Sequence, residues 1–425
     1  MSDHRVRRLA GWSVLAGCFV LGFFHRFAPA TFADSLSTSL NASGAELGAL
    51  ASWHFWIYTV AQIPAGLLVD RYGSRICVAV GSMVTAAGSL VLSGAHGLAA
   101  GSAGPVLTGA GLSVVFVGIM KYNADWFRPE TYGAITGVTM LLAAAGAVVA
   151  GSPAAWLLEH FSWRQLFAAV ALIGLVLSLG VAVAVRDRPP GAPAASAGAG
   201  PGGRAGLVAA LRCREMWPLL LATMGTNGVF YAFAGLWGVP LLTETRGLSN
   251  TSAAVYTTAA LVTYGVGCLV IGLWSDRAGR RKPFLLATSA MALAGWTGLA
   301  VLPWTAGWQG VLLYVLLGAA ASQVTVSFAA LRESVSPAVA ATALAVLNAG
   351  VFATSAALQP LFGWVADSGA GWTTALSLMA GTSALGLLGA FRSTETWPRG
   401  LAADGGRVVP DRPDPREAGA AHGRL

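Results

Sequence analysis

Twelve mostly apolar stretches follow one another along this chain, at 9–33, 46–69, 76–95, 101–121, 133–157, 164–185, 216–241, 252–274, 284–302, 309–331, 341–365 and 373–391. A helix needs about 20 such residues to cross the hydrocarbon core of a bilayer. Within lipid every backbone polar group must be satisfied inside the protein, so a serial array of this kind folds as helices. The expected fold class is an all-α membrane protein with twelve transmembrane helices. Composition agrees: 55% of residues are hydrophobic and only 10% charged, against about 25% charged in soluble domains. Glycine is abundant, at 54 residues, as expected where helices approach closely in lipid.

Charge placement orients the array. Of 26 basic residues, 23 fall at the termini or in alternate connections, all on one side of the twelve spans; the exceptions are Arg26, Arg164 and Arg246. Basic residues mark the cytoplasmic side, so both termini are expected there. The net charge of +8 does not indicate nucleic acid, because there is no basic stripe with interleaved aromatics. "MSDHRVRRLAGWSVLAGCFVLGFF" resembles a signal peptide but has no clear cleavage site, and reads as an uncleaved first span. Cys18, Cys77, Cys213 and Cys268 form no CxxC pair, so neither a disulfide nor a metal site is expected. The Ala, Gly and Arg bias points to a bacterial, GC-rich source, and hence to the inner membrane.

"RDRPPGAPAASAGAGPGGRAG", from Arg186, is rich in Pro, Gly and Ala and lacks an apolar period. It divides the chain into an N-terminal six-helix bundle (9–185), a flexible cytoplasmic linker (186–215), a C-terminal six-helix bundle (216–391) and a disordered cytoplasmic tail (392–425). The halves echo each other. "GLLVDRYGSR" follows span two, and 206 positions later "GLWSDRAGRRK" follows span eight. Gly66, Asp70, Arg71 and Gly73 recur as Gly272, Asp276, Arg277 and Gly279. A second echo pairs Trp163 with Trp372, 209 positions apart. Two echoes at nearly one offset indicate an internal duplication. The glycines suit close approach and tight turns. Asp70 can accept from helix N-terminal amides or pair with an arginine, and Arg71 and Arg75 can bind exposed carbonyls. Together these loops are expected to latch one half onto the other. A purely topological role would account for the arginines but not for Asp70 or for the second copy.

G-x-x-x-D-R-x-G-x-R after the second of twelve spans, its repeat after span eight and the six-plus-six division resemble the major facilitator superfamily over nearly the whole chain. The resemblance implies two pseudo-symmetric six-helix bundles of inverted repeats, rocking about a central site. There are departures. Pro105 in "PVLTGAG" stands where many proton-driven members carry an arginine. "GAVVAGSPAAW" keeps Gly146, Gly151 and Pro153 but not the exporters' spacing. The glycine-and-asparagine signature of nitrate porters is missing from spans five and eleven.

Ionisable groups inside spans are candidates for function. His25 and Arg26 lie in span one and His54 in span two, and no acid sits near a midplane. A lone guanidinium wants a carboxylate or phosphate, so an anionic substrate could complete Arg26, as the resemblance to organic-anion branches also implies. The alternatives are snorkelling to the external surface and pairing with Asp34. His54, Tyr58 and Gln62 share one helical face that could line a cavity or be satisfied within the bundle, and His54 could couple a proton. Asn227 and Tyr231 open span seven ahead of Gly235, Gly238 and Pro240, a bendable run suited to gating; Trp237 alternatively reads as an interface-belt residue. Gln323, Asn348 and Gln359 complete the candidates.

There is no Walker A motif, no HExxH, no G-x-S-x-G and no paired mid-chain carboxylates, so the chain reads as no enzyme. The expected function is secondary transport of a small solute, an organic anion taken up, with H+ or Na+ as coupling ion and no cofactor, by a monomer in the lipid bilayer. The alternatives are a proton-coupled multidrug or metabolite exporter, a transporter-like sensor and a lipid mover.

Overall fold

The computed structural model describes residues 2–127, 129–187 and 204–397. The first half contains α1 (Ser2–Leu40), α2 (Gly44–Ser93), α3 (Leu98–Trp126), α4 (Pro129–Ala150), α5 (Ser152–Leu158) and α6 (Trp163–Ala184). A short α7 (Arg204–Arg212) precedes the second half. There, α8 (Met216–Thr223), α9 (Val229–Ala232) and α10 (Pro240–Arg246) are joined by π-helical turns at Met224–Gly228 and Phe233–Trp237. Next come α11 (Asn250–Ala278), α12 (Lys282–Val301), α13 (Trp308–Ala321) and α14 (Val324–Ser334). The last are α15 (Pro337–Val365) and α16 (Gly371–Arg392), separated by a π turn at Ala366–Ala370.

Ten helical stretches among the described residues are long and apolar enough to cross a membrane. One of them, Thr342–Arg392, contains two of the expected spans, divided where Gly369 and Gly371 adopt positive φ of 79° and 76°. The remaining expected span, 46–69, occupies the first part of α2. The chain is thus a multi-pass, all-α membrane protein with the expected six-plus-six organisation.

Capping boxes fix the helix starts on one side. Ser43 and Glu46 bond each other's backbone amides at the head of α2, and Ser162 and Gln165 do so at the head of α6, which satisfies two otherwise orphaned amides at each end. α6 shows how the bundle meets lipid. Phe167, Ala171, Gly174, Ser178 and Val181 are buried, whereas Leu172, Ile173, Val176, Leu179 and Val183 are exposed. An apolar exposed face opposite a buried face of small residues suits lipid, where close packing rather than hydrophobicity drives helix association.

The duplicated loops turn alike. Gly73 and Gly279, 206 positions apart, have φ of 84° and 60°, a region that favours glycine. The contacts described for each loop lie within its own half. Arg75 donates from its backbone N to Asp187 Oδ1 (2.8 Å) and from Nε to the Ala182 carbonyl (2.8 Å), at the end of α6. Arg71 lies over the ring of its neighbour Tyr72, 5.3 Å from its centroid. A Cβ on Gly66 would meet no described atom within 4 Å, and the side chain of Asp70 lies outside the described residues. In the second half the bridging residue is Arg281 rather than the exposed Arg277: its guanidinium reaches Asp276 (2.6 Å) and Glu333 (2.7 Å). Gly272 sits against Thr325.

Two segments expected to be irregular contain ordered parts. α7 falls within the stretch expected as linker and packs against α15; residues 188–203 of that linker lie outside the described residues. The first residues of the expected tail fold back. Glu395 accepts from the backbone N of Arg281 (2.7 Å) and of Lys282 (3.2 Å) at the head of α12. Thr394 N donates to Glu215 (3.0 Å), Thr396 donates to Glu333 (2.9 Å), and Trp397 faces the Arg281 guanidinium at 4.5 Å. Residues 398–425 lie outside the described residues.

Candidate functional site

The halves meet at the end opposite the termini. Ala45 N donates to Asp367 Oδ2 (3.0 Å), Asn250 Nδ2 to the Thr31 carbonyl (2.9 Å) and Ser152 N to Thr258 Oγ1 (2.9 Å). Thr251 bonds Glu159 across the same seam. From this closed end a cavity of about 350 Å³ extends between the halves, lined by α1, α2, α3 and α4 on one side and by residues of the α8–α15 half on the other. It runs toward the terminal end, since Phe19 and Phe23, which line it with Arg26, precede Arg26 on α1. The volume falls in the usual range for small-molecule sites, about 300–1,000 Å³.

Arg26 is the cation of this cavity. It is only 6% exposed, so it neither snorkels to a surface nor pairs with Asp34, which is exposed. Four rings surround its guanidinium: Phe23 at 4.7 Å, Tyr58 at 5.5 Å, Tyr231 at 5.5 Å and Phe352 at 4.6 Å. Two come from each half, so the charge sits at the seam. Cation–π attraction offsets part of its desolvation, yet its Nε is buried without a hydrogen-bond partner among the described residues. No carboxylate of a described residue lines the cavity with it. The site is therefore a positive charge held in an aromatic frame.

The remaining candidates divide. Tyr58, Asn227, Tyr231 and Asn348 line the cavity with Arg26. Asn227 donates to the Ala321 carbonyl (3.1 Å), and the Tyr231 hydroxyl is bonded to that of Tyr264 (2.9 Å). His54 does not line it; its Nδ1 faces Thr108 Oγ1 (3.3 Å) between α2 and α3. Gln62 is also absent from the lining, with Nε2 buried and unpartnered. The face shared by His54, Tyr58 and Gln62 is therefore split among neighbours, because a helix buried on several sides offers one residue to each. Gln323 is fully buried in a polar knot, donating to the Leu285 carbonyl (3.1 Å) and Ser289 Oγ (2.9 Å) and accepting from Thr226. Gln359 is buried as well, its backbone carbonyl accepting from Trp237 Nε1 (3.0 Å). That bond, and stacking on Phe362, place Trp237 in the core rather than in an interface belt. His25 bonds the Leu21 carbonyl (2.8 Å) and Ser89 (2.7 Å) within the first half.

Tyr264, Phe352, Phe116, Phe328 and Thr325 line the cavity without having been singled out by sequence. Nothing in their local sequence separates them from core or lipid-facing aromatics; only their packing does. Asn227 lies in the first π turn and Tyr231 four residues later in α9, so both face the cavity. No metal-binding group of three or more His, Cys, Asp or Glu occurs among the described residues.

The sequence profile of the family described as "Major Facilitator Superfamily" matches residues 14–239 and 219–418. A hexuronate transporter of Bacillus subtilis is 26% identical over 270 residues, which cover 62% of this chain and 62% of that protein. A gentisate transporter of Corynebacterium glutamicum is 26% identical over 300 residues, covering 68% of this chain and 66% of that protein. The chain thus spans less than two thirds of the length of each of these relatives. Among solved structures, a bacterial homologue of the human lysosomal transporter Spinster, in an inward-facing and unoccupied conformation, superposes with a TM-score of 0.71 at 16% identity. That match covers 91% of this chain and 97% of the other.

Proposed function

The chain belongs to the major facilitator superfamily, and from that premise we propose that it is a secondary transporter, not an enzyme, which takes up an organic anion by rocker-switch alternating access. The observation that carries this reading is the buried guanidinium of Arg26, framed by rings from both halves and opposed in the cavity by no carboxylate of a described residue. A carboxylate entering the cavity supplies the missing partner through charge-assisted hydrogen bonds, the strong class for arginine. Hexuronate and gentisate, the solutes in the names of the relatives, both carry a carboxylate. The excess of basic residues in the connections on the terminal side sets that side in the cytoplasm of a bacterial inner membrane. The cavity then faces inward, and the seam at Ala45 and Asp367 is the closed external gate.

Binding at the seam couples to rocking because Tyr58 belongs to one half and Tyr231 and Phe352 to the other. An anion that draws Arg26 toward itself changes the contacts of both halves at once, and a ligand shifts an equilibrium only by such differential contacts. The coupling ion is H+ or Na+. The test is purified protein in liposomes, given a panel of organic acids under imposed pH and sodium gradients. Arg26→Ala is expected to abolish anion flux while the protein remains folded and monodisperse. Flux that survives the substitution removes Arg26 as the anchor, and solutes driven only outward move the assignment to export.

A further inference from the structure

We propose that the solute this cavity selects is an aromatic monocarboxylate rather than a polyhydroxylated sugar acid. The inference rests on the anion-transport reading above and narrows it. The walls that continue from Arg26 are Phe19, Phe116, Met140, Leu141, Leu269 and Phe328. These side chains offer no hydrogen bond. Phe19 and Phe116 lie with ring centroids 5.8 Å apart, tilted by 33°, and form a continuous ring surface next to Phe23.

The polar groups of the lining are few and partly engaged. The Asn227 amide donates to the Ala321 carbonyl and meets Tyr264, and the Tyr231 hydroxyl is shared between Tyr264 and Arg26. Tyr58 is bonded to Gln62 and Arg26, and Thr325 to Cys268, so the groups left to meet a ligand are the rest of the Arg26 guanidinium and Asn348. A hexuronate carries a hydroxyl on nearly every carbon, and each one taken from water needs a partner. Against phenylalanine and leucine walls it finds none. An aromatic acid presents one carboxylate to the guanidinium and a flat apolar ring to the rest. Ring faces and edges then meet in the offset or edge-to-face arrangements that aromatic pairs favour. The cavity has that polarity: one charge at its closed end and walls beyond it that are mostly apolar, with Asn348 the one unengaged amide among the described lining residues.

The experiment uses the full chain in proteoliposomes and measures the protein-dependent entry of radiolabelled benzoate, D-glucuronate and the aromatic cation tetraphenylphosphonium under the same driving force. Entry into protein-free liposomes, whose bilayer benzoic acid and tetraphenylphosphonium cross unaided, is subtracted. Benzoate is expected to enter with a kcat/KM at least tenfold above that of glucuronate, with no protein-dependent tetraphenylphosphonium flux. Phe328→Asn, which places an amide in the apolar wall at a partly exposed position, is expected to lower the benzoate-to-glucuronate ratio at least fivefold. A general loss of folding or turnover would reduce both solutes alike and leave the ratio unmoved. Equal or preferential glucuronate entry overturns the aromatic assignment and leaves the anion reading standing. Entry of tetraphenylphosphonium with neither carboxylate overturns both. An unchanged ratio in Phe328→Asn, with benzoate preferred, removes the wall as the source of selectivity and overturns the inference as argued.

Discussion

The Arg26 guanidinium, enclosed by rings but opposed by no carboxylate of a described residue, is held at a cost to the fold. Burying a charge without its partner is among the costliest placements in a protein, and four ring faces offset only part of it. Arg26→Leu is therefore expected to leave thermal stability unchanged or to raise it, while anion flux falls by at least 100-fold. Melting of the purified protein alongside uptake checks this. A clear fall in melting temperature would assign Arg26 a structural role and would falsify the substrate-anchor reading. Gln323 behaves oppositely: its amide bonds Leu285, Ser289 and Thr226 at full burial, so removing it leaves those groups unpaired. Arg26 could be singled out in the sequence as a lone charge in an apolar span, but its burial beside the cavity, rather than at a surface or against Asp34, is set by packing. Phe352 and Tyr264 could not be singled out, because in lipid an aromatic residue is equally at home facing chains, core or cavity. His54 misled because helical spacing says which residues share a face, not which neighbour that face meets.

At the scale of elements, the loop repeats carried the fold, and their contacts carried information that spacing could not. That Gly73 and Gly279 both turn with positive φ is implicit in the repeated glycine. That Arg75 reaches back to Ala182 and Asp187, and that Arg281 rather than Arg277 bridges Asp276 to Glu333, depends on which helix ends lie alongside. The segment after α16 is the clearest case, since polar, proline-bearing sequence reads as unstructured. Glu395 nevertheless accepts from the first amides of α12, where a carboxylate satisfies orphan donors and complements the helix dipole. Losing an N-terminal cap costs about 1 kcal/mol, roughly a fivefold change in a local opening equilibrium. Glu395→Ala should accordingly speed amide hydrogen exchange at Arg281 and Lys282 about fivefold and leave the far end of α12, near Val301, unaltered. Equal exchange in the two proteins at Arg281 and Lys282 would show that the cap contributes nothing to the fold.

For the whole molecule, the seam between the halves closes by backbone against backbone. A Cβ on Gly363 would stand 2.3 Å from the Gly44 carbonyl oxygen, and one on Gly48 would stand 2.5 Å from that of Gln359. Neither partner is a flexible side chain that could swing away, so an added methyl group must push the halves apart at this end. Forcing a methyl into packed structure costs about 1–3 kcal/mol. Placed on a two-state equilibrium, that is a shift of about 5- to 150-fold toward the state in which this end is open. Gly363→Ala should therefore fold normally, expose the amides of 44–48 and 359–363 to faster hydrogen exchange and lower net solute flux by at least fivefold. Gly97→Ala is the matched control: it lies at the same end, and its Cβ would meet nothing within 4 Å. If Gly363→Ala transports at the rate of the unaltered protein, closure of this seam is not a step in the cycle. The two halves would then have to alternate about some other contact than the one between α2 and α15.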